Sequence, residues 1–380
     1  MNSDWVIFWI VAGARFLLPL TIPRYPLPGI LASLVLDGID QTLFQQFTNL
    51  PLDHYQGYDK ALDIYYLTVA YITMLRNWQH LFAFKVGRFL FYWRLVGVAL
   101  FELTGLRPLL LIFPNTFEYF FIFYETCRLR WNPARLSNKL IVGAAAFIWI
   151  VIKLPQEYWI HIAQIDTTDW LKTGLFDVPV DTAWSEIVRA WPGMFVAALI
   201  VVVLALLAAW WYVVRCLPAP DRPFSFSADA YQPPFTADRV RSAMEQEARR
   251  IVDAALIEKI VLLALVSLCF AHVLPDVRAN TPQLVLGLAF IVTVNTALTH
   301  WLARKGFGWT VDLGRFVALL TINVGMIWVY GLLRARLDVA VRFENVLFFA
   351  LLLTLLLMLY DRYRQIYLIR FKLDDRVSDA

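Results

Sequence analysis

Ten long apolar segments recur along this 380-residue chain and constrain its fold more than any other feature. A run of about 18 or more apolar residues is typical of a helix that spans a membrane, whose hydrocarbon core is about 30 Å thick. The segments cover residues 5–22, 58–75, 81–103, 108–124, 140–163, 192–214, 251–274, 284–302, 313–333 and 346–360. Charged residues make up only 17% of the chain, against about 25% in soluble domains. The sequence therefore predicts an all-α integral membrane protein, a polytopic helix bundle.

A further segment, 29–47, is apolar only in its first part. Even counted from Leu27, the helical residues up to Leu36 cover about 15 Å, half of the hydrocarbon core. The segment can cross only if protein shields the polar residues that follow, among them Asp37 and Asp40. We therefore expect one short re-entrant or interfacial segment within a bundle of 10–11 transmembrane helices. Ten spans put both termini in the cytoplasm, and eleven put the N-terminus outside.

Loop charge indicates the orientation of the bundle. The connector 128–139 and the loop 215–250 are rich in Arg, whereas the loop 166–186 is acidic. The positive-inside rule places the two basic segments and the C-terminus in the cytoplasm and the acidic loop outside. The same alternation puts Asp59 and Asp63 at the outer end of their span. The expected location is the plasma (inner) membrane.

The polar loop divides the chain into predicted units. These are an N-terminal membrane half (1–214), a cytoplasmic Pro/Ser/Arg-rich loop (215–250), a C-terminal four-helix membrane half (251–362) and a charged cytoplasmic tail (363–380). Most charges inside or near spans fall in the first half. Each costs about 2.5–3.5 kcal/mol by insertion scales and usually faces a cavity or a partner charge. We therefore expect the functional site in the N-terminal half.

Aspartates concentrate in the stretch 36–63. Asp37 and Asp40 are three residues apart and Asp59 and Asp63 four apart, so each pair shares one face of a helix. All four are candidate ligands of Mg or Mn, a hard cation that prefers oxygen and can bridge to a substrate phosphate. Asp37, Asp40 and Asp63 are also candidate catalytic bases. The alternative is a set of solvated acids that cap nearby helices.

Basic residues lie in the span 81–103. Lys85 and Arg88 lie near its inner end, where long side chains can reach headgroups. Arg94 and, in the next span, Glu118 lie near midspan, and we expect them to face each other or to share a polar cavity. Arg88, Arg94 and Glu118 are candidate substrate ligands, because Arg binds phosphate or carboxylate.

A third group forms a stripe along one span. Lys153, Glu157 and His161 are spaced four apart, and Pro155 should loosen the helix between them. Lys153 and Glu157 are candidate substrate ligands. His161 is a candidate catalytic residue or part of a proton path, because His titrates near neutral pH. The alternative is an interfacial stripe in which Glu157 simply neutralises Lys153.

One fragment resembles the CDP-alcohol phosphotransferases. That family has an Asp-Gly pair, then a Gly followed by two Asp, and Asp37-Gly38 with Gly57, Asp59 and Asp63 resembles this order. The Ala-Arg that follows Asp-Gly in the family is replaced here, and the spacing after the later Gly differs. The family also works at the cytoplasmic face, opposite to the face that loop charge predicts for these acids.

A second resemblance concerns the membrane glycosyltransferases that use polyprenyl-phosphate sugars. They carry acidic residues in the first outer loop, followed by many spans, and the placement of Asp37 and Asp40 is similar to this. The resemblance implies a lipid-linked sugar-phosphate substrate and a site at the outer membrane face.

Three functions remain open from sequence. The first is an enzyme acting on a lipid-linked phosphate or sugar-phosphate at the outer face, which an outward polar cavity would favour. The others are a transporter of a small charged solute, favoured by a cavity with two-sided access, and a non-catalytic scaffold. The bilayer is the expected partner, with a lipid phosphate as substrate and no nucleic acid, since the net charge of +4 comes from residues at span ends. No Walker loop or other common catalytic motif is present.

The orientation can be tested with single cysteines. Thr173→Cys and Ser227→Cys, each in a background without the three native cysteines, report on the acidic and the basic loop. An impermeant thiol reagent added to intact cells should label residue 173 and spare residue 227, because the positive-inside rule places them on opposite sides. The reverse labelling pattern would contradict the predicted orientation.

Overall fold

The computed structural model describes residues 3–48, 55–165, 167–216, 218–231, 253–273, 281–304, 313–335 and 343–371. The regular structure within these ranges is helical, without a strand, which confirms the prediction of an all-α polytopic bundle. The main helices, apart from short helical segments such as Thr167–Trp170 and Leu171–Leu175, are α1 (Ser3–Leu17), α2 (Pro26–Phe47), α3 (Tyr55–Asn77), α4 (Leu81–Thr104), α5 (Pro108–Ile112), α6 (Thr116–Arg128), α7 (Asn138–Ile162), α8 (Trp184–Ala190), α9 (Pro192–Cys216), α10 (Ala254–Val273), α11 (Thr281–Arg304), α12 (Leu313–Ala335) and α13 (Phe343–Phe371).

Seven of the described helices are long and apolar enough to cross a membrane, or eight if the bent pair α8–α9 forms one broken span. The seven are α1, α2, α7, α10, α11, α12 and α13. Helices α3 and α4 are of similar length, with 23 and 24 residues, but carry more charge. Most of α3 is buried in protein, and an enclosed helix can hold charged residues at membrane depth. The multi-pass architecture is therefore shown, and the count of 10–11 spans stays a prediction.

Helix α2 contains the segment 29–47, which is expected from sequence to be a short re-entrant or interfacial piece. It is one continuous helix of 22 residues, about 33 Å long, and it belongs to the seven that can cross. It is therefore longer than the short re-entrant or interfacial piece expected from its apolar run. Asp40 on this helix is fully buried, because neighbouring helices cover it. This length and composition are compatible with the alternative in which the segment crosses, and whether it does stays a prediction.

Helix α3 occupies the centre of the bundle. It packs against α2, α4 and α6 of the N-terminal half and against α10 and α13 of the C-terminal half. Stacked aromatic rings stabilise two of these contacts. The ring centroids of Tyr71 and of Phe91 of α4 are 4.5 Å apart, and those of Trp78, directly after α3, and of Tyr124 of α6 are 3.9 Å apart. Such aromatic pairs contribute about 0.5–1.5 kcal/mol each beyond the area that they bury. Helices from both predicted membrane halves thus share one core.

One end of the bundle, here called the basic face, is held together by the segment 218–231. Asp229 pairs with Arg76 at the end of α3 and lies 3.8 Å from Arg24. Asp221 lies 3.2 Å from Arg135 in the connector between α6 and α7. These contacts bring the predicted cytoplasmic segments to the same end of the bundle. The remainder of the polar loop, 232–250, and the end of the tail, 372–380, lie outside the described residues.

Two helices are irregular where the charged residues cluster. The expected span 108–124 is divided into α5 and α6 by residues 113–115, since Pro114 has no amide hydrogen to continue a helix. Helix α7 contains two π-helical turns, at Ile148–Lys153 and Tyr158–Ile162, on either side of Pro155. Insertions of this kind are frequent at functional sites.

Gly97 of α4 allows the break between α5 and α6 to approach closely. A Cβ atom at this glycine would lie 2.1 Å from the Cβ of Phe113. We expect Gly97→Ala to lower the free energy of unfolding by about 1–3 kcal/mol, because either helix must shift. Gly143→Ala in α7, where a Cβ meets nothing within 4 Å, is the matched control. Thermal unfolding in detergent measures both, and equal melting temperatures would contradict the close packing.

Candidate functional site

Arg15 of α1 forms the centre of the first charged cluster. Its side chain is almost completely buried and forms ion pairs with Asp37 and Asp40 of α2. It also lies 3.3 Å from both Asp59 and Asp63 of α3. The two aspartate pairs therefore do come together across helices. Sequence reasoning missed Arg15 as the group that joins them, although a charge within an otherwise apolar span is the signal that could have found it.

Lys60 supplies the second cation of this cluster. Its Nζ lies 2.8 Å from Oδ2 of Asp59 and 3.3 Å from Oδ2 of Asp63. The cluster thus sets four carboxylates against two cations. It also lies within the helix bundle rather than in a loop, because Asp63 is about 21 Å along α3 from Asn77, whose side chain is at the basic face.

Three of the aspartates could hold a metal ion. Asp37, Asp59 and Asp63 each offer one oxygen, and these oxygens lie within 4.8 Å of one another. The donor set suits Mg or Mn, and one divalent ion would balance the two surplus negative charges. Such an ion would have to share the carboxylates with Arg15, which already contacts all three. Metal binding here stays a prediction, and Asp40 lies outside the triad.

The second charged cluster joins α4, α6 and α7. Arg94 Nη1 lies 3.8 Å from Glu157 Oε1, and Lys153 Nζ lies 3.6 Å from Glu118 Oε2. His161 Nε2 lies 3.0 Å from Glu157 Oε2. All five side chains are buried. Arg94 and Glu118 share one polar cluster, but each takes its charged partner from α7 instead of from the other.

The break between α5 and α6 is part of this cluster. The backbone N–H of Asn115 donates to Glu157 Oε1 at 3.0 Å, and its side-chain amide donates to Glu118 Oε2 at 2.9 Å. Arg94 donates to the carbonyl of Phe113 at 3.1 Å. The carboxylates therefore lie at the positive N-terminal end of α6, where negative charge is stabilised. Charged side chains satisfy the backbone groups that the break exposes.

Tyr66 connects the two clusters. It follows Asp63 by three residues on α3, and its hydroxyl donates to Glu118 Oε1 at 2.6 Å. Close by, Asn115 Oδ1, Thr116 Oγ1 and Arg94 Nε are buried without a hydrogen-bond partner among the described residues. These three groups make the region between the two clusters polar.

A cavity of about 200 Å³ lies where residues of both clusters meet. Asp59 and Lys60 of the first cluster and His161 of the second line it, together with Gln41 and Arg107. Apolar walls are provided by Phe101, Leu110 and Ile160. The cavity thus combines cations that can hold an anion with a carboxylate and an imidazole that can exchange protons. It lies towards the end of the bundle opposite the basic face.

Arg88 is the one candidate residue that lies apart. It precedes Arg94 by nearly two turns of α4, and its guanidinium lies 3.2 Å from Glu258 of α10. Tyr71 donates a short hydrogen bond to the same carboxylate. Sequence reasoning missed Glu258, although it is an acid within the apolar segment 251–274 and therefore carried the same kind of signal as Arg15.

Nine of the ten candidate residues come together in the two clusters. They are Asp37, Asp40, Asp59, Asp63, Arg94, Glu118, Lys153, Glu157 and His161. No protein-family model, curated protein or solved structure matches this chain. Its function must therefore be inferred from the chemistry of the clusters and the cavity.

A double-mutant cycle tests the pairing of Arg94 with Glu157. Arg94→Met and Glu157→Gln should each cost about 3–5 kcal/mol of stability, because each leaves a buried charge without its partner. The double mutant should lose less than the sum, measured by thermal unfolding in detergent. The exposed pair Arg135 and Asp221 provides the control, Arg135→Met with Asp221→Asn, with effects of about 0–1 kcal/mol. Additive losses for Arg94 and Glu157 would contradict the pairing.

Proposed function

We propose that this chain is a membrane enzyme that acts on a lipid-linked phosphate or sugar-phosphate at the outer membrane face. The observation that carries the proposal is the cavity of about 200 Å³, which places Lys60 and Arg107 beside Asp59 and His161. Lys60 and Arg107 could bind the phosphate, and Asp59 and His161 could accept a proton, around the same cavity. Such a convergence of polar groups in a partly apolar pocket is the usual mark of a substrate site.

The basic groups of the cavity suit a phosphate. Arg107 follows Gly105, whose positive φ of 69° ends α4 and turns the chain towards the cavity. Guanidinium groups bind phosphate oxygens in pairs, and a site shielded from water strengthens this attraction. Lys60 is held by ion pairs with Asp59 and Asp63, and a divalent ion at the aspartate triad would offset the surplus negative charge of this cluster beside a bound phosphate.

The apolar wall of the cavity supports a substrate attached to a lipid. Ile160 lines the cavity and has 49% of its surface exposed. Phe101 is also partly exposed, whereas Leu110 closes the inner side. A hydrocarbon chain could therefore leave the cavity sideways into the bilayer while its phosphate stays between the cations. A soluble sugar-phosphate would gain nothing from such a wall.

His161 is the proposed general base, assisted by Asp59. Its Nε2 is held by Glu157, so Nδ1 is the ring nitrogen left to accept a proton from an acceptor hydroxyl. The hydroxyl oxygen would attack the group carried by the phosphate, and the bond to the phosphate would break with its electron pair on the phosphate oxygen. Lys60 and Arg107 would stabilise that charge. Asp37, Asp40 and Asp63 would hold Arg15 and so position Asp59, and Mg or Mn at the aspartate triad would add positive charge for the phosphate.

The experiment compares a polyprenyl phosphate with the corresponding polyprenol, bound to the purified protein in nanodiscs. The phosphate should bind more tightly, and Arg107→Gln should weaken it about tenfold or more, since a hydrogen bond to a charged group contributes about 1.5–3 kcal/mol. Arg135→Gln at the basic face is the control and should leave binding unchanged.

His161→Gln should keep phosphate binding but lose transfer of sugar from a polyprenyl-phosphate sugar. A chelator tests the metal, because transfer that survives EDTA needs none.

Equal binding of the phosphate and the alcohol would contradict the proposal, as would an unchanged affinity in Arg107→Gln.

A transporter of a small charged solute is the second candidate, and the broken helix α5–α6 with charges at its break favours it. Accumulation of a charged solute in proteoliposomes, without preference for the polyprenyl phosphate, would support that alternative. An Arg94→Met variant should then lose uptake.

A further inference from the structure

An open groove of about 540 Å³ follows the outer surface of α4. Lys85 and Arg88 line one end, and Phe89, Trp93, Val96 and Phe113 continue towards the other. The groove shares no residue with the proposed catalytic cavity. On one side of the groove Arg88 contacts Glu258 of α10. On the other side Trp93 packs against Trp149 of α7, with their ring centroids 5.8 Å apart. The groove therefore faces outward between two membrane helices.

The length of the groove matches one leaflet of a bilayer. Lys85, Phe89 and Val96 repeat at the spacing of one helix face, so the groove runs along the helix axis. From Lys85 to Val96 the helix rises about 16 Å, close to half of a hydrocarbon core of about 30 Å. At the cationic end, Lys85 lies about 6 Å and Arg88 about 10 Å along the helix from Leu81, where α4 begins at the basic face. The charged groups of Lys85 and Arg88 thus border the end of the groove nearer the headgroups, while the groove itself is lined by apolar surface at the depth of acyl chains.

The cationic end carries a surplus of positive charge. Glu258 lies 3.2 Å from Arg88 and 4.0 Å from Arg364, and Asp253 lies 4.0 Å from Arg364. Lys85 is exposed and makes no ion pair with a described residue. Among the described residues, the two cations of the groove, Lys85 and Arg88, therefore face the single carboxylate of Glu258. An anion at this end would restore the balance, and cationic pockets between helices at a cytoplasmic face are typical sites for anionic lipid headgroups.

We propose that this groove binds one anionic phospholipid from the leaflet at the basic face. Its phosphate lies between Lys85 and Arg88, and one acyl chain follows Phe89, Trp93, Val96 and Phe113. Free inorganic phosphate would leave the aromatic part of the groove uncovered, and a zwitterionic lipid would leave the positive surplus. This site is independent of the function proposed above, because none of its residues contributes to the catalytic cavity.

The experiment measures retention of phosphatidylglycerol and of phosphatidylcholine with identical acyl chains, by native mass spectrometry of the purified protein. The wild type should retain one phosphatidylglycerol in preference. Lys85→Gln should weaken that binding about fivefold, as expected for the loss of one surface cation. Lys139→Gln is the matched control, an exposed lysine near the same face outside the groove, and should have no effect. Arg88 is left intact because Glu258 depends on it.

A second variant tests the apolar part. Val96→Trp places a bulky ring in the groove at an exposed position, so folding should be preserved while the acyl chain is displaced. Retention of either lipid at this site should fall. The proposal is overturned if the two lipids bind equally, if Lys85→Gln behaves like Lys139→Gln, or if Val96→Trp leaves phosphatidylglycerol binding unchanged. It is also overturned if inorganic phosphate alone displaces the lipid.

Discussion

The contact of Arg15 with four aspartates is the interaction on which the N-terminal half depends. Arg15 comes from α1, two of the acids come from α2 and two from α3, so a single guanidinium joins three helices. Arg15 offsets the cost of burying Asp40 of α2 inside the bundle. With it, α2 is able to cross as one helix and α3 to become the buried centre of the core.

The same rule organises the second cluster, since each buried charge is met by an opposite charge from another helix. Glu157 shows how much one residue can connect. Its carboxylate accepts a hydrogen bond from the backbone N–H of Asn115, lies 3.8 Å from Nη1 of Arg94 and contacts Nε2 of His161 at 3.0 Å. The break at Pro114 and the π-helical turns of α7 are therefore part of the site, because they carry these groups to one place. Irregular backbone within a membrane is tolerated where side chains satisfy it.

Basic residues serve two different purposes along the membrane normal. Arg94 and Lys153 are buried and Lys60 is half-buried, and all three are paired with acids, so they shape the interior and one cavity. Lys85 and Arg88 lie on the outside of α4 at the opposite end of the bundle, beside an open apolar groove. The first arrangement carries the substrate site proposed above, and the second carries the proposed lipid site. Glu258 connects the groove to the core through Tyr71.

Apolar run length and charge position by themselves determined the class of this protein and nearly all members of its charged clusters. Charge inside an apolar span is costly, so each instance marks a residue that needs a partner, and Arg94, Glu118 and Lys153 could be identified in this way. Only the tertiary structure decided the partners. A sequence shows the position of a residue along its helix but not which neighbouring helix its side chain meets. The pairing of Arg94 with Glu157 and of Glu118 with Lys153, both on α7, could therefore not be predicted. The same reason hid the role of Arg15, since its four acids lie on two other helices.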